Sequence, residues 1–238
     1  MSFTTRIDAE LARISAPATD DPALLPGRLA RACARILGAA GAGISVFATD
    51  GFRFPAGASD DDSAAAERLQ FTVGVGPCLD AHAAGQPITA TAEVLGHRWP
   101  EFQAELERRT PFRAITSVPM TSNPVGLGCV DLYFHDDAEM HRLVLSDARD
   151  AVQHTYALLV GEDPDVPPAW VDGTTHAPRN RVMMAVGMLN VSLGVTSEQA
   201  LALLRGHAFA LDVSVDEVAR LVAERRIPVS ALDPAGNG

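Results

Sequence analysis

Apolar residues recur at spacings of three and four in three stretches toward the C-terminal end of the chain. Val182, Ala185, Leu189 and Leu193 form one stripe, Leu201, Leu204, Ala208 and Leu211 a second, and Val215, Val218, Ala219 and Val222 a third. That period puts each set on one face of an α-helix. Gly194 closes the first run, and Pro228, which cannot continue the backbone ladder, closes the third. Thr196 with Gln199, and Ser214 with Glu217, have the spacing of a capping box, in which each side chain satisfies the other's backbone amide. Residues 180–229 therefore predict three short helices in close succession.

Upstream, the pattern switches between helical and alternating periods. Ile7, Leu11 and Ile14 predict a helical arm, suited in a dimer to packing on a partner's helix, before Pro17, Pro22 and Pro26 break it. RLARACARILG gives an amphipathic helix with Leu29, Cys33 and Ile36 on one face, and AGISVFA a strand with Ile44 and Val46 inward. Asp50-Gly51 is a hairpin-turn signal. Asp60, Asp61 and Asp62 read as a solvated helix start rather than a metal site, the helix ending near Gln70. Gly74 and Gly76 free the backbone before Pro77, and a short helix from Cys78 leads to an edge strand from Pro87 to Ala90. Trp99 to Arg109 reads as a helix, Ala114 to Met120 as a strand, Asn123-Pro124 as a turn, and Val125 to Phe134 as the returning strand. Helices and strands in this order predict an α+β domain, its antiparallel sheet lying between helical layers.

From Ala138 to Val160, residues Leu145, Ala148, Val152, Thr155 and Leu159 keep the alternating 3,4 spacing of a coiled-coil seam. Such a seam packs either on its own domain or on a second copy, and a homodimer is the expectation. GEDPDVPPAWVDGTTHAP follows, too rich in proline for one helix. The domain boundaries expected are thus 1–161 for the α+β domain with its arm and connector, 162–178 for a linker, 179–231 for the three helices and 232–238 for a flexible tail.

Composition adds limits. A hydrophobic share of 47% over 238 residues suffices for two cores. No run approaches the roughly eighteen apolar residues of a membrane helix, and MSFTTRIDAELARIS lacks the basic and apolar regions of a signal peptide. A cytoplasmic protein is expected. Cys33, Cys78 and Cys129, odd in number and far apart, form no disulfide framework and match no zinc spacing. The net charge of −11 divides unevenly: residues 1–173 hold 13 arginines against 24 acids, and residues 174–238 hold 6 against 6. Every basic side chain is arginine, whose planar fork suits phosphates and base edges.

Candidate chemistry falls in two places. Cys78, at a helix start, reads either as a thiolate favoured by the helix dipole and able to sense a redox signal, or as a small buried hydrophobe. His82, one turn later, offers an acid–base partner or part of a haem or metal site, although no third ligand accompanies the pair. No metal site and no particular cofactor is expected. In the three helices, Ala185 and Gly187 give the first one a small face, fitted to a tight helix crossing or to a ligand. Arg179, Arg181, Arg205, Arg220, Arg225 and Arg226 could gather on one face as phosphate contacts, or be ordinary solvated helix residues. Phe209, the only aromatic residue in the three helices, reads as core.

The pattern Ala185-x-Gly187-Met188-Leu189, Ala200, Leu204-Arg205, Ala208-Phe209 and Val218-Ala219 resembles the ANTAR domain, a three-helix RNA-binding module of bacterial transcription antiterminators, over about fifty residues. The chain departs from that pattern at Val186 and Asn190. The resemblance implies binding, as a dimer, to RNA with two stem-loops carrying six-nucleotide loops, which prevents a terminator from forming. The first domain resembles a GAF domain, through Ala65-Ala66-Glu67-Arg68-Leu69-Gln70-Phe71-Thr72, Gly76-Pro77-Cys78-Leu79-Asp80, Trp99-Pro100, Thr110-Pro111-Phe112-Arg113 and Asp131-Leu132-Tyr133. This implies a sensory fold, with a possible small-molecule ligand and without the Asn-Lys-Phe-Asp-Glu signature of cyclic-nucleotide binders. The expected protein is a signal-responsive RNA-binding antiterminator, not an enzyme, with candidate RNA-binding residues Arg179, Arg181, Ala185, Gly187, Arg205, Arg225 and Arg226 and candidate sensing residues Cys78 and His82. Two alternatives stand beside it: a helix-turn-helix DNA-binding regulator, and a thiol enzyme of the GAF-type methionine sulfoxide reductase kind, which needs cooperating cysteines in one pocket.

Overall fold

A computed structural model describes residues 3–14, 21–47, 53–120, 128–161, 170 and 177–233 of the chain. The two hairpin-turn signals and most of the proline-rich linker lie outside the described residues. The chain folds as two compact units, residues 1–71 with 75–173, and residues 72–74 with 174–238.

In the first unit the elements run α1 (Phe3–Ile14), α2 (Leu25–Leu37), β1 (Gly41–Phe47), β2 (Arg53–Ala58), α3 (Asp61–Val73), α4 (Pro77–Ala84), β3 (Ile88–Ala90), α5 (Ala92–Arg98), α6 (Pro100–Arg109), β4 (Ala114–Met120), β5 (Gly128–Phe134), α7 (Asp137–Met140) and α8 (Leu145–Val160). The five strands form one antiparallel sheet in the order β2-β1-β5-β4-β3. The fold is therefore α+β, as the alternation of periods predicts. β4 and β5 are buried along their whole length, because helices cover both faces of the sheet and leave neither for solvent.

One layer holds α1, α2 and α8. Leu29 and Cys33 of α2 are buried, and the Cys33 thiol meets the Thr155 hydroxyl of α8 at 3.3 Å. The seam of α8 faces this layer: Ala148, Val152, Thr155 and Leu159 are buried within their own unit. That settles the direction of the 3,4 spacing, which serves an intramolecular face here. The arm behaves likewise. Ile7 is fully buried, Arg6 Nη2 donates to Ile36 O at 3.0 Å, and His154 contacts Asp8 at 2.7 Å, so α1 packs on its own α2 and α8 rather than awaiting a partner. At the end of α8 the buried Trp170 indole donates to Leu159 O at 2.8 Å, satisfying a carbonyl that the helix leaves unpaired.

The other layer holds α3 and α4. Asp60 caps α3 by accepting from Ser63 N at 2.8 Å, the role expected of an acidic helix start. α5 is not foreshadowed by any apolar stripe, since AEVLGHR is short and interrupted by Gly96. Its start is nonetheless marked by Thr91, which accepts from Val94 N at 3.2 Å.

The second unit holds α9 (Ala177–Leu193), α10 (Ser197–Leu211), α11 (Val215–Ala223) and a closing 3-10 turn, Val229–Leu232. Val182, Ala185, Leu189, Leu201, Leu204, Ala208, Val215, Val218, Ala219 and Val222 are buried in it, whereas the last positions of the first two stripes are not: Leu193 is half-buried and Leu211 is 49% exposed. Gly194 ends α9 at φ +67°, a conformation that a Cβ disfavours. The Thr196–Gln199 box is complete, with both bonds present. At Ser214 only half forms: its hydroxyl accepts from Glu217 N at 3.2 Å, but the Glu217 carboxylate turns to Arg220 instead. Leu232, placed by the sequence in the tail, is buried. Among the described residues no helix is long and apolar enough to cross a membrane.

Candidate functional site

β5 reads GCVDLYF. Its alternating positions send Val130, Leu132 and Phe134 to one face of the sheet, and Cys129, Asp131 and Tyr133 to the face under α3 and α4. On α3, Glu67 and Gln70 are three residues apart and so share a face. Between them lies Arg53, at the start of β2. Gly43 makes this meeting possible: a Cβ there would run into the Glu67 side chain. A glycine in the middle of a buried strand is thus the notch that lets a carboxylate reach the sheet.

The contacts form one connected network. Arg53 pairs through Nη2 with the Glu67 carboxylate, donates from Nη1 to Glu67 O at 3.0 Å and from Nε to Cys78 Sγ at 3.2 Å. Its Nη2 lies 3.6 Å from Asp131 Oδ2. Glu67 also accepts from Ser45 Oγ at 2.5 Å and Tyr133 Oη at 2.7 Å. Gln70 donates to Asp131 Oδ2 at 2.7 Å and accepts from Cys78 N at 3.1 Å. The Cys129 thiol donates to Cys78 O at 3.4 Å. Ser45, Arg53, Glu67, Gln70, Cys78, Cys129, Asp131 and Tyr133 are all at most 2% exposed.

Burial sets the electrostatics. It opposes the Arg53 charge, but Cys78, Glu67, Asp131 and Tyr133 around it more than compensate and hold the guanidinium firmly protonated. Burial pushes the Asp131 carboxyl well above the carboxylate range, with further contributions from Cys78 and Glu67, and raises Tyr133 for the same reason. Arg53 is thus the cation around which these buried acidic groups gather, out of reach of water. The Ser117 hydroxyl lies opposite Asp131 on β4 and works against the rise of its carboxyl.

Cys78 and His82, both on α4, meet different partners. Burial raises the Cys78 thiol well above its ordinary value, and although Arg53 pulls the other way it does not prevail. The helix dipole therefore yields no standing thiolate. His82 does not engage Cys78; its ring stacks on Phe47 with centroids 3.6 Å apart, and burial lowers its pKa. The Cys78 contacts come instead from Arg53, Gln70 and Cys129. Periodicity did not single out Arg53, Glu67, Gln70, Asp131 or Tyr133 as a site. The available signal was an aspartate between Val130 and Leu132 in a strand otherwise suited to full burial. A cavity of about 280 Å³ lies elsewhere in this unit, lined by Gly85, Gln86, Pro87, Val118, Pro119, Arg149 and Gln153.

In the second unit the predicted residues scatter. Ala185 is buried while Gly187 is exposed; two residues apart on a helix they stand about 200° from each other and cannot share a small face. A Cβ on Gly187 would meet nothing within 4 Å, so within this chain it marks no tight crossing. Gly187 instead lies in an exposed stripe with Asn180, Met184 (57% exposed) and Val191 (88%). Arg181, Arg225 and Arg226 are exposed, and Arg205 is half-buried on α10. The Arg179 side chain lies outside the described residues. Arg220 is held by Glu217 and Glu224, at 2.6 and 2.5 Å. Phe209, expected in the core, is 85% exposed. Its neighbour Ala208 takes the buried position, which turns Phe209 outward, one turn beyond Arg205.

No protein-family model matches the chain, and no curated protein matches it. Solved structures do match. The cyanobacteriochrome TePixJ GAF domain aligns over 61% of this chain and 94% of its own, at 13% identity and a TM-score of 0.43. A domain assigned to a two-component sensor histidine kinase protein from Sinorhizobium meliloti 1021 aligns over 58% of this chain and 89% of its own, at 17% identity and a TM-score of 0.36.

Proposed function

We propose that this chain is a signal-responsive, RNA-binding transcription antiterminator, in which a GAF-type sensory unit is joined to an ANTAR-type three-helix unit. The observation that carries the RNA reading is Phe209. The second unit exposes its one aromatic ring on α10, four residues from Arg205, so that a planar apolar surface and a guanidinium sit on one helix face. Recognition of single-stranded loops uses these two groups, an aromatic for stacking and arginine for stacking or phosphate contact. Arg205 is half-buried, and Arg181, Arg225 and Arg226 supply the exposed charge. The sequence resemblance to ANTAR domains supplies the target class, paired stem-loops with six-nucleotide loops, bound by a homodimer. Since α8 turns its seam inward, the exposed heptad-spaced positions Asn180, Met184, Gly187 and Val191 of α9 are where a second copy would meet the first.

A helix-turn-helix reading on DNA fares worse. On α11, Arg220 is already bound by Glu217 and Glu224, and Asp216 adds another acid to the helix that would enter the groove. We assign no catalytic step to the first unit. Cys78 and Cys129 do meet there, as a thiol reductase requires, but both are fully buried, out of reach of a substrate the size of methionine sulfoxide.

The test is a titration at fixed salt against an RNA with two adjacent six-nucleotide loops, a single-loop RNA and duplex DNA. Binding confined to the paired loops is expected. Phe209→Ala should weaken it about 5- to 150-fold, corresponding to about 1–3 kcal/mol for one stacked base, with the thermal midpoint unchanged because the ring is exposed. Arg205→Ala should weaken it too. Preference for duplex DNA, or Phe209→Ala binding like the parent chain, would overturn this reading.

A further inference from the structure

Cys78 and Cys129 are 51 residues apart in sequence, on α4 and β5, yet they belong to one buried cluster, and the Cys129 thiol donates to the Cys78 carbonyl at 3.4 Å. On the other side of Cys78, Arg53 Nε points at the sulfur from 3.2 Å. Arg53 is anchored there by the Glu67 carboxylate and backbone carbonyl, which leaves its Nε directed at the thiol. Beside a sulfur that becomes anionic as it reacts, it is well placed. Half-buried Phe47 and Ile88 pack directly on the cluster; a small oxidant would enter by displacing them. Cys33 differs. It belongs to the opposite layer, where its thiol meets the Thr155 hydroxyl.

We propose that Cys78 and Cys129 form a two-electron thiol–disulfide switch responding to a small hydroperoxide, with Arg53 as the positioning residue for the attacking sulfur. Cys78 Sγ attacks the peroxide oxygen and the O–O bond breaks. Cys78 becomes a sulfenic acid, and the departing oxygen leaves as water or an alcohol, carrying the thiol proton. Cys129 Sγ then attacks the Cys78 sulfur; the S–O bond breaks, and the released hydroxide takes the Cys129 proton as water. Both cysteines are oxidised to one disulfide and the peroxide is reduced. The new bond removes the Cys129 S–H that donates to the Cys78 carbonyl and shifts the sulfur that Arg53 Nε addresses, so oxidation rewires the network around Glu67 and Asp131. This deepens the sensory half of the proposed function by naming its signal, while its chemistry needs no RNA.

The experiment is thiol counting and peptide mapping on the full-length folded protein after hydrogen peroxide treatment, followed by denaturation and alkylation. The chain has three free thiols; two should be lost, and mapping should recover a Cys78–Cys129 disulfide that a dithiol reductant reverses. Cys129→Ser should stop at a Cys78 sulfenic acid trapped by a dimedone reagent, and Cys78→Ser should leave Cys129 free. Three thiols surviving a dose that oxidises the denatured chain would overturn the proposal, as would a disulfide to Cys33 or between chains. Repeating the RNA titration on oxidised protein separates the two claims. A disulfide without RNA binding refutes the antiterminator reading alone, and RNA binding without a disulfide refutes the switch alone.

Discussion

Arg53 illustrates how much a single buried charge constrains its surroundings. It is the cation paired with Glu67, so Arg53→Met should cost about 3–5 kcal/mol in urea denaturation, the penalty for stranding a carboxylate in a dry interior. Adding Glu67→Gln should recover much of the loss. A variant no less stable than the parent would show the network to be less important than its geometry implies. Asp131 makes a separate pH prediction. In the unfolded chain its carboxyl ionises near pH 3.9, whereas burial raises that value well above it in the folded state. Between those two values the native state binds more protons, so this group makes stability fall as pH rises above about 4. Asp131→Asn should remove that decline. Parallel stability–pH curves for variant and parent would contradict the assignment. Neither residue was legible as a site in the sequence, because network membership depends on strand register. Gly43, Asp131 and Ser117 lie side by side only once β1, β5 and β4 pair.

Among the helices and strands, what was legible followed local chemistry. β4 appears with its expected ends, since its alternation is bounded by Pro111 and by the Asn-Pro turn signal; α10 begins at its capping box, which depends on residues three apart. The direction in which a stripe faces was less legible. The α8 seam and the α1 arm have the spacing of interfaces and serve as intramolecular contacts, because spacing defines a face but not its partner. Gly187 allows the distinction to be measured. A methyl group there meets nothing within the chain, so Gly187→Ala should stabilise the second unit by up to about 1 kcal/mol through helix propensity. If the stripe with Met184 and Val191 contacts a second copy or RNA, the same substitution should weaken dimerisation or RNA binding. A more stable variant with unaltered association would exclude α9 as an interface.

At the scale of the molecule, charge is the constraint on function. The excess of acids lies entirely in residues 1–173, and the second unit is neutral, with Arg220 already committed to two glutamates. RNA binding built on so few cations should depend only moderately on salt. Each phosphate contact on single-stranded RNA contributes about 0.7 to the slope of log K against log salt. Three to five arginines per copy therefore predict a slope of about 2–3.5 per protomer; a much steeper one would mean that phosphate contacts come from outside the residues named here. The two-part organisation itself was legible, since the change from mixed periods to three consecutive helical stripes coincides with the proline-rich stretch.

Trp170, held at the end of α8 by the Leu159 carbonyl, has a practical consequence. Trp99, also buried, and both tyrosines, Tyr133 and Tyr156, belong to the same unit, and residues 174–238 contain neither amino acid. Intrinsic ultraviolet fluorescence of this protein is therefore a built-in optical reporter of the first unit alone. A melt followed by emission and again by far-ultraviolet circular dichroism would separate the two units without a label, the difference between the traces belonging to the three helices that carry Phe209.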